Sequence, residues 1–365
     1  MMNRLFLVTW ASLFTLATTV ALADDAPRAS LPTVAVITTG GTIAEKTDPK
    51  TGGAVPAVSG KDLVAAVPGL ENVAKLVVVA YSNIDSSHMT PELWAGLSQR
   101  VDKVLSNPKI VGAVVTHGTD TMAAGAFFLD ATLKTNKPVV FTGAMNDASS
   151  ANPDGPGNIL NAVIQVTSKN AQNWGVTVTL NRYINSASEV RKTHTTNPQT
   201  FESGEKGYLG YVFGDHVVRI NDRVGRIRIP LPKKLPKKLP KVPLIAAYAG
   251  ADGSLVRAAV DGGAKGLVVE GVGAGNVNAE INEAIHYALA KKIPVVITTR
   301  VYNGAVEPVY GDQGGGRDLV KEGAILGGAL ISPKARLLLI IALLRHGNDQ
   351  KAIKRVFSQV RGASR

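Results

Sequence analysis

Short apolar runs recur along the chain and read as strands. TVAVITT (33–39), LVVVA (76–80), VGAVVT (111–116), KPVVFT (137–142) and VTVTL (176–180) are rich in β-branched residues and lack polar alternation. Such runs predict a parallel sheet covered on both faces. Helical stretches lie between them. TPELWAGLSQRVDKVL has Thr90 as its cap and Pro91 at the first helical position, and a second helix is predicted over about 120–133. The same alternation resumes further on, with strands in LIAAY, GLVVEG and PVVITT and a helix in NAEINEAIHYALAKK. ARLLLIIALL is too short to span a bilayer and reads as a buried helix. The expected architecture is α/β: a larger N-terminal parallel-sheet domain over 24–228, and a smaller C-terminal α/β domain over 243–365.

Between them, 229–242 breaks the pattern. IRIPLPKKLPKKLPKVPLI repeats a Pro-Lys-Lys-Leu unit, and Pro232, Pro236 and Pro240 exclude both a helix interior and a central strand. An extended, solvated interdomain linker is expected. Its five lysines carry part of the net charge of +12, a balance that by itself points towards anionic partners. No aromatic residue interleaves with them, so no nucleic-acid partner is expected.

The first 23 residues also stand apart: a basic MMNR start, the apolar LFLVTWASLFTLATTVA, and Ala-Leu-Ala ending at Ala23. This is the pattern of an export signal cleaved after Ala23, and it predicts a periplasmic mature protein without a stable membrane anchor. With 365 residues, 45% hydrophobic and 19% charged, the chain can build two cores and does not have a disordered composition. It contains no cysteine, which excludes disulfides, thiol catalysis and cysteine-ligated metals. The six histidines lack a ligand spacing such as His-Glu-x-x-His, so no metal is expected.

Ligands of open parallel sheets bind at the carboxyl ends of strands, and two polar clusters fall at such ends. One is TTGGTIAEK after the first strand; the other is THGTDT, from Thr116 to Thr121. Each has a plain alternative, since Thr119 or Asp120 can simply cap a helix and a TGGT turn can hold a phosphate. The glycine turn lacks both the dinucleotide spacing and the Gly-Lys-Ser/Thr ending of a P-loop, so no cofactor is expected. Taken together, two threonines and an acid converging across adjacent strands suit a threonine nucleophile with a proton acceptor. His117 reads as a structural hydrogen-bonding residue. A periplasmic amino-acid-binding protein without catalysis is the alternative from another functional class.

ITTGGTIA followed by VVTHGTDTM resembles the paired signatures of the bacterial L-asparaginases, and with the export signal the chain is similar to the periplasmic type II branch, which includes glutaminase-asparaginases. The resemblance continues through NIDSSHMTPELW, KPVVFTGAMNDASSANPDGPGNILNAV, SEVRKTHTTNPQTF and GVGAGNVN. It implies hydrolysis of the side-chain amide of L-asparagine, with L-glutamine as a second candidate substrate, in a homotetramer built from intimate dimers. By motif, Thr42 matches the nucleophile, Thr119 and Asp120 the second threonine and its acid, and Lys192 the lysine that joins them. The resemblance leaves open which group deprotonates Thr42. Ser86 matches the serine that holds the substrate carboxylate, with Ser87 beside it, and Asp120 also meets the substrate ammonium. Backbone N–H groups near Thr119 and Ala144 are candidates for an oxyanion hole. Two departures are visible: the loop EKTDPKTGGAVPAVSGKDL, expected to be flexible, has Gly52 and Gly53 in the region where family members carry a tyrosine. RVYNGAVEPVYGDQGGGRDL has Tyr310 or Gly311 near the place of a glutamate donated by a neighbouring subunit, with Glu307 close by.

Overall fold

Both faces of the larger sheet are covered, which is why its inner strands carry apolar residues at consecutive positions. The computed structural model describes residues 30–360 apart from 57 and 224; the expected export signal, residues 1–23, lies outside the described residues. In chain order the strands are β1 (Thr33–Thr38), β2 (Glu45–Thr47), β3 (Ala54–Pro56), β4 (Lys75–Ala80), β5 (Ile110–Thr116), β6 (Val139–Thr142), β7 (Val176–Leu180) and β8 (Tyr183–Ser186). They continue as β9 (Arg191–Lys192), β10 (Phe201–Glu202), β11 (Gly210–Phe213), β12 (His216–Arg219), β13 (Leu244–Ala246), β14 (Leu267–Gly271), β15 (Val295–Thr299) and β16 (Ile325–Leu326). The helices are α1 (Gly60–Ala65), α2 (Pro91–Leu105), α3 (Thr119–Thr132), α4 (Gly155–Thr167), α5 (Ser254–Asp261), α6 (Ala279–Ala290), α7 (Gly316–Glu322), α8 (Ser332–His346) and α9 (Gln350–Phe357).

An eight-stranded sheet has the order β12-β11-β8-β7-β6-β5-β1-β4, and a four-stranded sheet the order β13-β14-β15-β16. From β4 to β7 the larger sheet is parallel, and the smaller sheet is parallel throughout. Beyond β7 the larger sheet turns antiparallel through β8, β11 and β12. That portion is not marked by long apolar runs. The edge strand β4 also departs from coverage on both faces, with Val77 42% exposed.

Successive strand residues sort by face. Ala35, Ile37, Val115 and Phe141 pack with Trp94 of α2, Phe128 of α3 and Leu338 of α8, while Val34, Val36, Val114 and Val140 pack with Ile159 and Val163 of α4. Each such side chain contributes roughly 1.5–3 kcal/mol on burial. The apolar stretch in α8 contacts α3 on one side and β14 and β15 on the other, so one helix serves both sheets. Thr90 caps α2 by accepting the Leu93 N–H at 3.3 Å, with Pro91 following. Among the described residues no helix is long and apolar enough to cross a membrane.

The Pro/Lys segment has no helix or strand but is more than a solvated tether. Ile229, Leu231, Leu239 and Val242 are buried in the main core, while Lys233, Lys234, Lys237 and Lys238 point to solvent. The Ile229 N–H bonds Ala131 O at 2.7 Å and the Leu239 N–H bonds Glu92 Oε1 at 2.9 Å. The segment is therefore strapped across α2 and α3.

Strand order also locates a crevice. β1 is flanked by β4 and β5, so the chain reverses its direction of travel across the sheet there. Thr38 pairs with both Ala80 and Thr116, and Thr116 pairs with Thr142. The loops leaving β1, β4, β5 and β6 thus emerge at one level of the carboxyl edge, the ordinary location of a ligand site in such sheets.

Candidate active site

Two glycines bring the β1 and β5 loops together. Gly40 and Gly41 have φ of +104° and +84°, a region that side-chain-bearing residues rarely adopt. A Cβ on Gly40 would lie 2.4 Å from Ile84 O, and one on Gly41 only 2.3 Å from the Cα and N of Gly118. On Gly118 itself, a Cβ would meet Ser86 Oγ at 2.7 Å. Three segments, 40–42, 84–86 and 117–119, therefore converge at the crevice with little more than backbone between them.

Thr42, half-buried, begins a single 3₁₀ turn (Thr42–Ala44) that leads into β2. Glu45 follows the turn in extended conformation, with φ −102° and ψ 157°. Glu45 is only 6% exposed. Its pKa is raised above 4.5, first by burial and further by the negative charges of Asp85, Asp147 and Asp120, with Thr42 acting to lower it.

Thr119 and Asp120 open α3, after the Gly118 N-cap. Lys192 lies on β9, held by pairing with Phe201 of β10. Its Nζ donates to Thr119 Oγ1 at 2.9 Å and to Asp120 Oδ1 at 2.7 Å. Residues more than seventy positions apart thus form one hydrogen-bonded group. The Asp120 side chain is 62% exposed and Lys192 21%, so the pair faces the crevice opening and holds geometry more than it stabilises the fold.

His117 is buried behind this group. Nδ1 lies 2.5 Å from Thr39 Oγ1 and Nε2 lies 3.1 Å from Thr121 Oγ1, whose own proton goes to Ser86 O at 2.9 Å. Thr39 Oγ1 also donates to Thr116 O at 2.9 Å, so the ring is bracketed by two hydroxyls that both bond backbone carbonyls. Burial pushes its pKa down to about 3, with Asp120 and Asp85 acting weakly in the other direction. The imidazole packs edge-on to Trp94, 4.9 Å between ring centroids. It is a structural bracket for the loop, in line with its reading from the sequence.

Ser86 is buried beside Gly118, whereas Ser87 is exposed and donates its backbone N–H to Asp85 Oδ1 at 3.1 Å. Ala144 follows β6 and is buried with Ile43 and Ala44. The loop after Thr42 is ordered by its own turn: β2 and β3 form a hairpin closed by Asp48 N–H to Gly53 O and Gly52 N–H to Asp48 O, both 2.8 Å. Glu307, Tyr310 and Gly311 are exposed in a loop of the smaller domain.

Comparison with known proteins agrees over nearly the whole described chain. The profile "Asparaginase, N-terminal" matches residues 33–224 and the profile "Glutaminase/Asparaginase C-terminal domain" matches 241–357. The chain is 36% identical over 334 residues to L-asparaginase 2 of Escherichia coli, covering 90% of this chain and 94% of that one. It is 35% identical over 336 residues to a probable periplasmic L-asparaginase of Haemophilus influenzae, covering 91% and 94%. Among solved structures, a probable cytoplasmic L-asparaginase of Campylobacter jejuni superposes with a TM-score of 0.81 at 35% identity, covering 90% of this chain and 100% of that one. With both domains matched, the chain belongs to the asparaginase family of amidohydrolases.

Proposed function

We propose that the protein hydrolyses the side-chain amide of L-asparagine to L-aspartate and ammonia through an acyl-enzyme on Thr42, with L-glutamine as a second substrate. The observation that carries this reading is the abutment of Gly41 and Gly118, which makes Thr42 and Thr119 the next residues on two touching loops. The Thr42 hydroxyl attacks the amide carbon, ammonia leaves, and water hydrolyses the ester. Thr119, Lys192 and Asp120 act as a linked relay, supported by their hydrogen bonds. N–H groups at the start of α3 and at Ala144 hold the developing oxyanion. Ser86 and Ser87 take the substrate carboxylate, and Asp120 takes its ammonium, in surroundings made acidic by Asp85 and Asp147.

Residues 24–228 form the catalytic domain and 243–365 the C-terminal domain, with 229–242 between them. Tyr248, Val301, Tyr302, Val309 and Tyr310 are exposed and follow the carboxyl ends of strands in the smaller sheet, an apolar surface that supports assembly into a homotetramer of intimate dimers. Similarity to a probable periplasmic enzyme supports export of a mature chain beginning at Asp24. The family assignment removes the reason to read the chain as a solute-binding protein.

Ammonia release from asparagine and glutamine tests the reading, with the parent protein beside Thr42→Ala. Turnover should fall by about 10⁴-fold or more in the variant, as for loss of other catalytic nucleophiles. Intact turnover in Thr42→Ala would reject the nucleophile. The asparagine preference should be modest, because one methylene is worth only about 1–3 kcal/mol in a pocket.

A further inference from the structure

We propose that Lys334, in the first turn of α8, is a positioning residue for the reaction: it clamps the backbone leading into β9 and so sets where Lys192 stands. This inference rests on the proposed reading that Lys192 belongs to the relay. Lys334 is 1% exposed, and its Nζ donates to Ser188 O at 3.0 Å and to Val190 O at 2.6 Å. Val190 is two positions before Lys192. Strand β9 is only two residues long. Downstream it is held by pairing with β10 and by the Thr193 N–H, which bonds Thr200 O at 2.7 Å. Upstream, the N–H groups of Glu189 and Val190 turn back to Ser186 O at 3.2 and 3.0 Å, and the carbonyls of Ser188 and Val190 are taken by Lys334. Tyr302, in the loop after β15, adds a second hold, its ring lying under the Arg191 guanidinium at 4.8 Å from the centroid.

The clamp is itself anchored. Ser332, which begins α8, has its Oγ 2.9 Å from Thr298 Oγ1 of β15 and donates to the Glu270 carboxylate of β14. The same helix packs against α3, which starts at Thr119 and Asp120. One helix thus sets both halves of the relay, α3 by packing and Lys192 through the Lys334 bonds. Packing alone does not call for an amine here. Burial disfavours its charged form and pushes its pKa down to about 7, so an apolar side chain would fill the space at lower cost. What the amine supplies, and a leucine or methionine does not, is a pair of directed N–H donors for two carbonyls. An uncharged amine keeps two N–H groups, so the clamp holds on both sides of that pKa. A shift of about 1 Å between reacting groups costs roughly 10²-fold in rate, which makes the path of β9 matter to turnover.

Lys334→Met removes both donors while filling most of the same space. Its kcat for asparagine should fall by about 10–10²-fold, with KM changed less than about threefold. The deciding measurement is a cycle with Lys192→Met. If Lys334 works through Lys192, adding Lys334→Met to Lys192→Met should lower kcat by less than about threefold further. An equal fall in both backgrounds, or none in the parent, overturns the proposal. Leu338→Ala, a truncation of a buried side chain in the same helix, controls for general loosening. It should lower the urea midpoint and leave kcat within about threefold of the parent; a loss of kcat matching that of Lys334→Met also overturns the proposal. Lys334→Gln, which keeps N–H donors on a shorter, uncharged side chain, enters the same cycle if Lys334→Met does not fold. A fall of about tenfold is then expected in the parent background, and less than about threefold beside Lys192→Met. Lys192→Met itself separates the two ideas: full turnover in that variant rejects the relay, whereas a crippled Lys192→Met with an additive Lys334→Met rejects the clamp alone.

Discussion

Replacing Gly41 with alanine tests the claim that the site exists because two loops touch. The added Cβ would sit 2.3 Å from Gly118 Cα and N, whereas ordinary contacts begin at 3.4 Å. Relief requires the loops to part by about 1 Å, and a displacement of that size costs roughly 10²-fold in rate when it separates reacting groups. The substituted residue would also keep φ near +84°, costing roughly 1–2 kcal/mol for a side-chain-bearing residue. Gly41→Ala should therefore lose about 10²-fold in kcat for asparagine while remaining folded, with a lowered denaturation midpoint. Steady-state ammonia release and urea unfolding measure the two effects independently. A variant with kcat within threefold of the parent and an unchanged midpoint would refute the reasoning, because neither the steric overlap nor the strain would then be present.

Lys192→Met should separate function from stability: turnover is expected to fall by about 10²-fold or more, while unfolding free energy changes by less than about 1 kcal/mol, since the Asp120 partner is 62% exposed. Equal losses in both measurements would assign Lys192 to the fold. His117 should remain neutral from pH 8 down to pH 5, because burial lowers its pKa to about 3, and NMR of the imidazole should follow no titration in that window. The sign of its stability effect follows: the unfolded chain binds this proton below about 6.5 and the folded chain does not, so stability present above 6.5 is lost as pH falls towards 3, at most about 1.4 kcal/mol per pH unit. Stability that rises on acidification through that range in the parent but not in His117→Phe would contradict the assignment.

The parallel half of the larger sheet was legible because burial on both faces leaves a local trace, consecutive apolar residues such as those of β5 and β6. The antiparallel strands β8, β11 and β12 left none: four residues of mixed polarity carry too little periodicity to mark a strand. The Pro/Lys segment was half legible. Its prolines dictated an extended path, but only packing decides that leucines spaced four apart face the core and the lysines face water.

Residue chemistry was settled in the chain itself. The glycine pair at 40–41, the Thr119-Asp120 helix start and the threonine at 42 are local patterns, and family resemblance linked them to Lys192. What only the tertiary structure decided is which groups touch. The Lys192 bonds to Thr119 and Asp120 join sites 73 and 72 residues apart, a matter of strand order and register. The upward shift of the Glu45 pKa depends on desolvation and on carboxylates brought in from three other segments. A side chain's type is carried by the sequence, whereas its distance, its solvent exposure and hence its proton affinity are properties of the packed molecule.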